Sequence, residues 1–470
     1  MVIVSFLLTP KFYPATMNEE YDAIICGTGL TECVLSGLLA THGYKVLHID
    51  RNPFYGGEAA SLTLDQLYAK FNKGEPPKAL GMSHQYNVDL VPKVLMCAGE
   101  LVKILRATVV DRYSMEFMLI ENSFVQKGGK IHKVPATEAE ALSSGLMGFF
   151  EKRNAAKFFS FMQEYDPANP KTHKGYDLNK MTMQELYKAF SLGADTIDFV
   201  GHAVALYHND SYLNEPALPS VMRCKMYEDS FEMYGSSPYV YPLYGLGELP
   251  QAFSRLCAVY GGTYMLATPV KKVNFGADGK FESIEAVVDG KEQTAKGKFI
   301  AGDPSYFPDR VKETGKVVRC IAIMDHAIAI PKMECRSCQI IIPQKECKRS
   351  HDIYVLQMSG VNKVCPEGKY IAIVGTVVEN HSDPMKDLEF GMKLLGNVLD
   401  TFVSVTPIYA PIDDGSASRC FVSQSYDPAT HFESAAADIL SLFHRIHGKP
   451  YSFESMKSPE EEEAAAQAQQ

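Results

Sequence analysis

Residues 26–37 read CGTGLTECVLSG and directly follow the short apolar run YDAII at residues 21–25. A glycine-rich turn between a strand and a helix is typical of dinucleotide-binding βαβ units, in which the glycines follow the pattern G-x-G-x-x-G. Gly27 and Gly29 match the first two glycines, but Glu32 stands in place of the third. The turn therefore predicts a dinucleotide-binding type of fold in which the nucleotide site is altered.

The residues around this turn complete the unit. The segment LTECVLSGLLATHG (30–43) has helical character, and YKVLHID (44–50) is a second strand that ends in Asp50. An acidic residue at this place binds the ribose in dinucleotide sites. We predict an α/β fold: a flavoprotein-like, Rossmann-type large domain, together with a smaller, all-helical inserted domain.

Glu32 indicates whether the glycine-rich turn can still bind a cofactor. It falls in the first turn of the helix, so its carboxylate would lie at the positive end of the helix dipole, where a pyrophosphate would bind. Nucleotide and Glu32 would compete, and we expect no flavin, nicotinamide nucleotide or other cofactor. The alternative is a tolerated first-turn acid beside an intact site, which would make the chain an FAD-dependent oxidoreductase.

Composition narrows the class of protein. A chain of 470 residues is long enough for at least two cores, and 46% hydrophobic with 22% charged residues is typical of a globular protein. The net charge of −10 argues against nucleic-acid binding. Eleven scattered cysteines indicate a reducing compartment and free, mostly buried thiols.

Composition shifts predict the domain boundaries. Residues 1–16 contain a short apolar run without a basic region, and we interpret them as an N-terminal extension. We predict that the large domain comprises residues 17–136 and 235–457, interrupted by the helical domain at 137–234. Residues 458–470, with the acidic run EEEE, are expected to form a disordered tail.

The predicted helical domain carries two capping-box patterns, Thr137 with Glu140 and Thr182 with Glu185. Its aromatic residues recur at helical spacing, and the segment ADTIDFVGHAVALYH (194–208) is apolar nearly all round. Such a helix is either buried on most sides or lines a cavity. For each phenylalanine of the helical domain, both a core position and a position lining a cavity remain open.

Later segments indicate strands and turns, including a hairpin at Asp278 and Gly279. One group of residues could bind zinc, namely Cys335, Cys338, Cys347 and His351. The intervening CQIIIPQKEC has the pattern of a buried strand and a turn, and its spacing is shorter than that of common zinc sites. We favour the structural interpretation over a metal site.

Several long blocks resemble one known family, the Rab GDP dissociation inhibitors, which are relatives of the Rab escort proteins. The blocks are MNEEYDAIICGTGLTECVLSG, KVLHIDRNPFYGGEAAS, YPLYGLGELPQAFSRLCAVYGGTYML, DPSYFPDR and SYDPATHFE, and the resemblance extends from about Met17 to about Lys457. The family has a flavoprotein-like fold without a flavin, which agrees with the independent argument from Glu32. Escort proteins generally carry large insertions, for which this chain has no room.

The resemblance implies a regulator rather than an enzyme. It would bind GDP-bound, prenylated Rab GTPases, slow the release of GDP and extract these proteins from membranes. It would be cytoplasmic, monomeric and transiently peripheral on membranes. The matching positions of the Rab-binding surface are Tyr55, Gly56, Glu248, Gln251, Arg255, Thr263 and Met265.

Two further regions are implied by the same resemblance. A mobile loop of the family matches the segment of Arg223, Lys225, Met226 and Tyr227. We expect the geranylgeranyl lipid to bind the helical domain, with Phe149, Phe158, Phe161, Gly201, Val204 and Tyr207 as candidate lining residues. Tyr55 could instead be a half-packed turn residue, and each phenylalanine could belong to a plain helical core.

The segment LPQAFS offers a test of the binding surface from spacing alone. Glu248 and Arg255 are seven residues apart, nearly two helical turns, so both can emerge on one face. Phe253 and Leu256 would then turn inward. Charged groups on such a face are natural partners for complementary charges on another protein.

Overall fold

A computed structural model of the protein describes Met17 and residues 19–113, 115–135, 149–288 and 290–454. The predicted N-terminal extension, the acidic tail and the capping box at Thr137 lie outside the described residues.

Most of the strands form two large sheets. In chain order they are β1 (Glu20–Cys26), β2 (Val46–Ile49), β3 (Ser61–Leu62), β4 (Val88–Asp89), β5 (Leu95–Met96), β6 (Phe117–Leu119), β7 (Asn122–Lys127), β8 (Lys130–Lys133), β9 (Tyr239–Pro242), β10 (Thr263–Met265), β11 (Val270–Phe275), β12 (Phe281–Val288), β13 (Lys291–Gly302), β14 (Val311–Met324), β15 (Cys338–Ile342), β16 (Ile353–Ser359), β17 (Tyr370–Val377), β18 (Asp400–Pro411) and β19 (Cys420–Val422).

The α-helices cover the sheets and form the region between β8 and β9. In chain order they are α1 (Leu30–Thr41), α2 (Leu64–Lys70), α3 (Glu100–Ala107), α4 (Val110–Tyr113), α5 (Phe149–Glu164), α6 (Met183–Ala189), α7 (Ala194–Asp198), α8 (Ala217–Tyr234), α9 (Glu248–Val259), α10 (Gln344–Cys347), α11 (Glu389–Leu395) and α12 (Glu433–His447).

The first sheet contains the predicted βαβ unit. Its strand order is β10-β2-β1-β13-β12-β11, with β19 beside β13. Strand β1 pairs in parallel with β2 and β13, and β10 pairs in parallel with β2. Strands β11 and β12 form the hairpin expected at Asp278 and Gly279, and Gly279 has a positive φ of 76°. The parallel centre is the arrangement expected for a Rossmann-type domain.

The second sheet is mostly antiparallel and has the order β18-β14-β17-β16-β15-β7-β8. The expected strand at Cys338–Ile342 lies in this sheet and is buried along its whole length. All eleven cysteines are free and buried, which confirms the expectation of unpaired thiols.

Between residue 148 and β9, helices α5 to α8 and shorter helical turns alternate with irregular segments. The capping box at Thr182 is confirmed: Glu185 N donates to Thr182 Oγ1 at 3.3 Å, and Thr182 N donates to Glu185 Oε2 at 2.8 Å. The expected single helix through Gly201–Tyr207 is wrong. A π-helical turn, Phe199–Val204, follows α7, and Leu206 then takes a positive φ of 58°, so Tyr207 lies beyond the helix.

Charged side chains fasten this helical region to the second sheet. His202 Nδ1 lies 2.7 Å from Asp352 Oδ2, and His202 Nε2 lies 3.2 Å from Asp210 Oδ1. Burial alone would lower the pKa of His202, but Asp352 and Asp210 raise that pKa to about 10. Lys345 contacts both Asp198 and Asp210. We call these five residues the latch.

None of the helices in the described ranges combines the length and the apolar character that a membrane crossing requires.

Candidate functional site

The glycine-rich turn after β1 leads directly into α1. Gly27 has a φ of 96°, a conformation that favours glycine, and a Cβ there would lie 2.3 Å from Asp303 Oδ2. Gly29 is the N-cap residue of α1. The local backbone is therefore that of a dinucleotide-binding turn.

The side chain of Glu32 fills the space above Gly29. A Cβ at Gly29 would lie only 2.4 Å from Glu32 Oε2. The Ser423 hydroxyl donates to Glu32 Oε1 at 2.6 Å, and Leu30 N, an amide at the start of α1, donates to the Tyr426 hydroxyl at 3.2 Å. Protein groups thus occupy the helix N-terminus at which a pyrophosphate would bind.

Burial changes the charge of Glu32. Loss of solvation, and next the neighbouring Asp303, raise the pKa of Glu32 to about 8. From the sequence, we expected an anionic Glu32 that competes with a pyrophosphate for the positive end of the helix dipole. The raised pKa favours the neutral carboxyl group, so Glu32 excludes a nucleotide chiefly by filling the space and by engaging nearby polar groups.

The carboxylate of Asp50 also forms its hydrogen bonds within the protein. Its Oδ2 accepts hydrogen bonds from Thr28 N and Thr28 Oγ1, both at 2.6 Å, and its Oδ1 accepts one from Asn52 N at 2.7 Å. In a dinucleotide site this carboxylate would accept from the ribose. Here it instead holds the glycine-rich turn.

The space left beside these groups is a pocket of about 260 Å³. That is smaller than typical cofactor sites, which begin at about 300 Å³. Four carboxyl groups line it, namely Glu32, Asp50, Glu58 and Asp303, together with the two cations Arg51 and Lys70. The remaining space, rather than the charge of the lining, therefore does not fit a dinucleotide.

Next to the filled site, helix α9 presents a polar face. Leu249, Phe253 and Cys257 are buried, whereas Gln251 and Arg255 are exposed. A Cβ at Gly37 of α1 would lie 3.2 Å from Phe253 Cδ1, so α1 and α9 pack closely. The predicted orientation of this helix is confirmed for Arg255 and Phe253.

Glu248 and Arg255 are near enough to interact. Burial raises the pKa of the half-buried Glu248, and the positive charge of Arg255 opposes that rise. Leu256, expected to turn inward, is only half-buried. The charged pair thus lies at the border between the exposed face and the core.

Tyr55 and Gly56 lie beside this helix. The half-buried Tyr55 ring is 6.0 Å from the ring of Tyr264 in β10. Gly56 has a φ of 103°, a Cβ there would lie 2.7 Å from Ala60 Cα, and Gly56 N donates to Thr28 O at 2.9 Å. The aromatic turn is therefore anchored to the glycine-rich turn.

Strand β10 meets the aromatic turn through Tyr264, whose ring lies next to Tyr55. Thr263, its first residue, is half-buried, whereas Met265 is 7% exposed and packs in the core below the sheet. Thr263 lies on the same face of β10 as Met265 and hydrogen-bonds with the buried Tyr21, so the structure places both residues away from the exposed face of α9. We call the surface formed by Tyr55, Glu248, Gln251 and Arg255 the polar strip.

The segment expected to be a mobile loop is helical. Arg223, Lys225, Met226 and Tyr227 lie in the middle of α8. Lys225 Nζ donates to the carbonyl oxygens of Gln163 and Tyr165, and Tyr227 is buried. The prediction of a loop is therefore wrong for these residues, which are anchored to α5 and its C-terminal end.

The candidate lipid-lining residues lie in a packed interior. The rings of Phe158 and Phe161, both fully buried, lie 5.4 and 5.2 Å from that of Phe190. Val204 is buried, and Tyr207 stacks on Tyr212 at 4.2 Å. A lipid could reach this cluster only after the helices separate.

The remaining two candidates add little room for a lipid. A Cβ at Gly201 would lie 2.0 Å from the Tyr212 hydroxyl, so there is no free space beside this glycine. The side chain of Phe149 lies outside the described residues. The lipid site stays a prediction.

The four candidate zinc ligands do not form a metal cluster among the described residues. The group with suitable spacing there is instead Asp198, His202 and Asp210. Lys345 already contacts two of these carboxylates, so a protein cation occupies the position a metal would need. Asn122 donates to Cys335, and His351 Nδ1 lies 2.9 Å from Glu379 Oε1.

Sequence reasoning missed Ser423 and Tyr426, which close the nucleotide site. Tyr426 belongs to the block SYDPATHFE and Ser423 lies two residues before it, but nothing in their local pattern indicates contact with residues near position 30. The Ser423–Glu32 hydrogen bond spans 391 positions of the chain, and only the fold brings the two together.

The fold and the filled site define a flavoprotein-like protein whose own side chains replace the dinucleotide. The family model described as "GDI: GDP dissociation inhibitor" matches residues 17–458. The chain belongs to the GDP dissociation inhibitor family.

Individual relatives agree with this assignment. The chain is 48% identical to the Rab GDP dissociation inhibitor beta of Rattus norvegicus over 443 residues, 94% of this chain and 98% of the relative. The crystal structure of a Rab GDI from Plasmodium falciparum has a TM-score of 0.86 and 42% identity, and the match covers 92% of this chain and 99% of that one.

An oxidoreductase from Methanosarcina mazei shares the fold with a TM-score of 0.58 and 14% identity, over 91% of this chain and all of that one. At this identity the likeness concerns the fold alone. It confirms the expected oxidoreductase-like architecture.

We predict that the purified protein releases no flavin or nicotinamide nucleotide on denaturation, because Glu32, Ser423 and Tyr426 fill the site. Absorbance of the denatured supernatant in the flavin bands measures this. A stoichiometric flavin would contradict the prediction.

The raised pKa of Glu32 predicts a pH-dependent gain from Glu32→Gln. In the unfolded chain Glu32 ionises near pH 4.5, whereas in the folded protein it keeps its proton to about pH 8. Between these values its contribution to stability falls as pH rises, by up to about 1.4 kcal/mol per pH unit. Glutamine cannot ionise. The melting temperature of the variant minus that of the native protein should therefore increase with pH across this window and stay constant above it.

The control is Glu292→Gln, which changes an exposed carboxylate paired with Lys271. Lys271 lowers the pKa of Glu292, so this carboxylate stays ionised across the window. The difference in melting temperature between Glu292→Gln and the native protein should therefore stay constant over the same pH range. A flat difference for Glu32→Gln as well would show that Glu32 ionises normally in the folded state.

Proposed function

We propose that this chain binds GDP-bound, prenylated Rab GTPases, slows their release of GDP and carries them between membranes and the cytoplasm. The observation that supports this best is the exposed polar strip on a rigid scaffold whose cofactor site is closed by its own side chains. Family membership and the printed names of the two close relatives support the same function. The protein is a regulator, not an enzyme.

The polar strip suits a protein partner. Its exposed Arg255 and Gln251 lie on a helix whose opposite face is buried against α1. Tyr55 adds an aromatic side chain, and arginine and tyrosine are enriched among residues that dominate binding energy. A partner would therefore meet side chains on preformed elements and would lose little of its binding energy to their ordering.

Preferential binding to the GDP-bound GTPase favours retention of GDP. A protein that binds the GDP-bound GTPase more tightly than the nucleotide-free form raises the affinity of that GTPase for GDP by the same factor. No catalytic residue is needed. The strip has only to recognise surfaces of the GTPase that depend on the bound nucleotide.

Carrying a prenylated partner requires shelter for the lipid. A geranylgeranyl group has twenty carbons, so at about 0.8 kcal/mol per buried CH₂ its transfer into water costs up to roughly 15 kcal/mol. We place the lipid in the helical region, where Phe158, Phe161 and Val204 form an apolar interior. The helices would open to admit it. We propose a monomer that meets membranes transiently.

The strip is tested by Arg255→Ala. Loss of a charge-assisted contact should weaken binding to a prenylated Rab–GDP complex by about 1 to 3 kcal/mol. The melting temperature should change little, because Arg255 is exposed. Fluorescence titration and thermal unfolding of the same variant measure both quantities.

Arg336→Ala is the matched control. Arg336 is an exposed arginine that pairs with Glu121 at 2.6 Å, outside the strip. It should leave Rab affinity unchanged. Unchanged affinity in Arg255→Ala, or a loss explained by a fall in its stability, would remove Arg255 from the binding surface.

The lipid site is tested by Val204→Thr, which places a hydroxyl in the helical interior with little change of shape. Extraction of prenylated Rab from membranes should fall, while binding of unprenylated Rab is kept. Val355→Thr, at an equally buried position in β16, controls for the general cost of a buried hydroxyl. Equal losses of extraction in both variants, or loss of both kinds of Rab binding, would identify Val204 as core alone.

A further inference from the structure

A groove of about 490 Å³ lies along β11, outside the polar strip and next to the filled nucleotide site, with which it shares Arg51, Ser305 and Tyr306. It is bounded by β11 and by the two short turns Pro304–Tyr306 and Pro308–Arg310. Strand β11 is at the edge of the first sheet opposite to β10, whose Tyr264 lies next to Tyr55 of the polar strip. A ligand in this groove would leave the strip accessible.

Two arginines of the groove are held by aromatic rings. The Arg310 guanidinium lies over the ring of Phe275 at 4.2 Å, and the Arg51 guanidinium lies over that of Tyr306 at 3.8 Å. Arg51 Nη2 also donates to Ser305 Oγ at 2.9 Å. A guanidinium stacked through its flat face keeps in-plane N–H groups for an anion, and stacking limits its movement.

Two lysines add to this charge. Lys271 and Lys272 are exposed residues of β11 that line the groove, and Lys271 forms a surface ion pair with Glu292 at 2.7 Å. Asp309 is the one carboxylate among the described lining residues. In a chain with a net charge of −10, this concentration of cations is a local exception.

We propose that this groove binds the phosphorylated inositol headgroup of a membrane phosphoinositide. Its volume lies within the usual range of small-ligand sites, and arginine forks with lysine charges are suited to several phosphate groups. The cytoplasmic membrane surface is negative and attracts basic segments. An acidic protein would therefore be oriented at the membrane by this groove, with the polar strip left free for its partner.

The test measures binding of the purified full chain, without any GTPase, so its result does not depend on the proposed Rab function. The probes are phosphatidylcholine vesicles containing phosphatidylinositol bisphosphate, vesicles brought to the same surface charge with phosphatidylserine, and soluble inositol trisphosphate. We expect the native protein to prefer the phosphoinositide vesicles and to release them as salt rises.

The variant is Lys272→Gln with Arg310→Gln. At about 1 kcal/mol for each basic residue near the membrane, it should bind the phosphoinositide vesicles about 10- to 30-fold more weakly. Lys272→Gln alone should cause a smaller loss without disturbing the Arg310 stack. The control, Lys130→Gln with Lys296→Gln, removes the same charge at exposed sites outside the groove and should bind normally.

Four results would overturn the proposal. The native protein could fail to bind the phosphoinositide vesicles, it could bind both kinds of vesicle equally, the groove and control variants could lose affinity equally, or inositol trisphosphate could bind while vesicles do not. The last result would assign the groove to a soluble phosphate ligand. Thermal unfolding of each variant separates lost binding from lost folding.

Discussion

The buried carboxyl group of Glu32 is the constraint on which this use of the fold depends. It lies at Gly29, the place where a dinucleotide-binding relative would bring its backbone close to a pyrophosphate. The hydrogen bond that Ser423 donates to Glu32 joins the start of helix α1 to a segment near the C-terminal end of the chain. The centre of the molecule is thus closed by protein atoms alone.

The closed centre also orders the surface above it. Thr28 donates to Asp50, and Thr28 O accepts from Gly56 N, so the glycine-rich turn holds the aromatic turn that contains Tyr55. Helix α9 is fixed from below by its contact with Gly37. The exposed residues of the strip are therefore supported by elements whose other sides are buried, and preformed surfaces of this kind bind with a smaller loss of conformational entropy.

Local features of the fold were predictable because they depend on near neighbours in the chain. The βαβ unit, the capping box at Thr182 and the hairpin at Asp278 each follow from residues a few positions apart. The orientation of Arg255 followed from helical spacing. The family resemblance, rather than any of these patterns, supplied the expected function.

The features that sequence reasoning missed depend on distant residues. Tyr426 and Ser423 reach α1 only through the folded sheet, and the pKa of Glu32 rises because the whole site is buried. Met265 points into the core because side chains alternate along a strand, and its neighbour Tyr264 packs on the other side, against His48. Arg223 and its neighbours lie within a long helix, although their resemblance indicated a loop.

Under the proposed function, the latch would link cargo affinity to the stability of the empty protein. Asp352 and Lys345 fasten the helical region to the second sheet, and Phe158 is buried inside that region. Under the proposed function, the apparent affinity for a lipid is the intrinsic affinity multiplied by the fraction of molecules that are open. A strong latch lowers that fraction, which protects an empty carrier from aggregating through its apolar interior. It also makes lipid release more favourable, so the same charged residues would help determine how readily the carrier delivers its cargo.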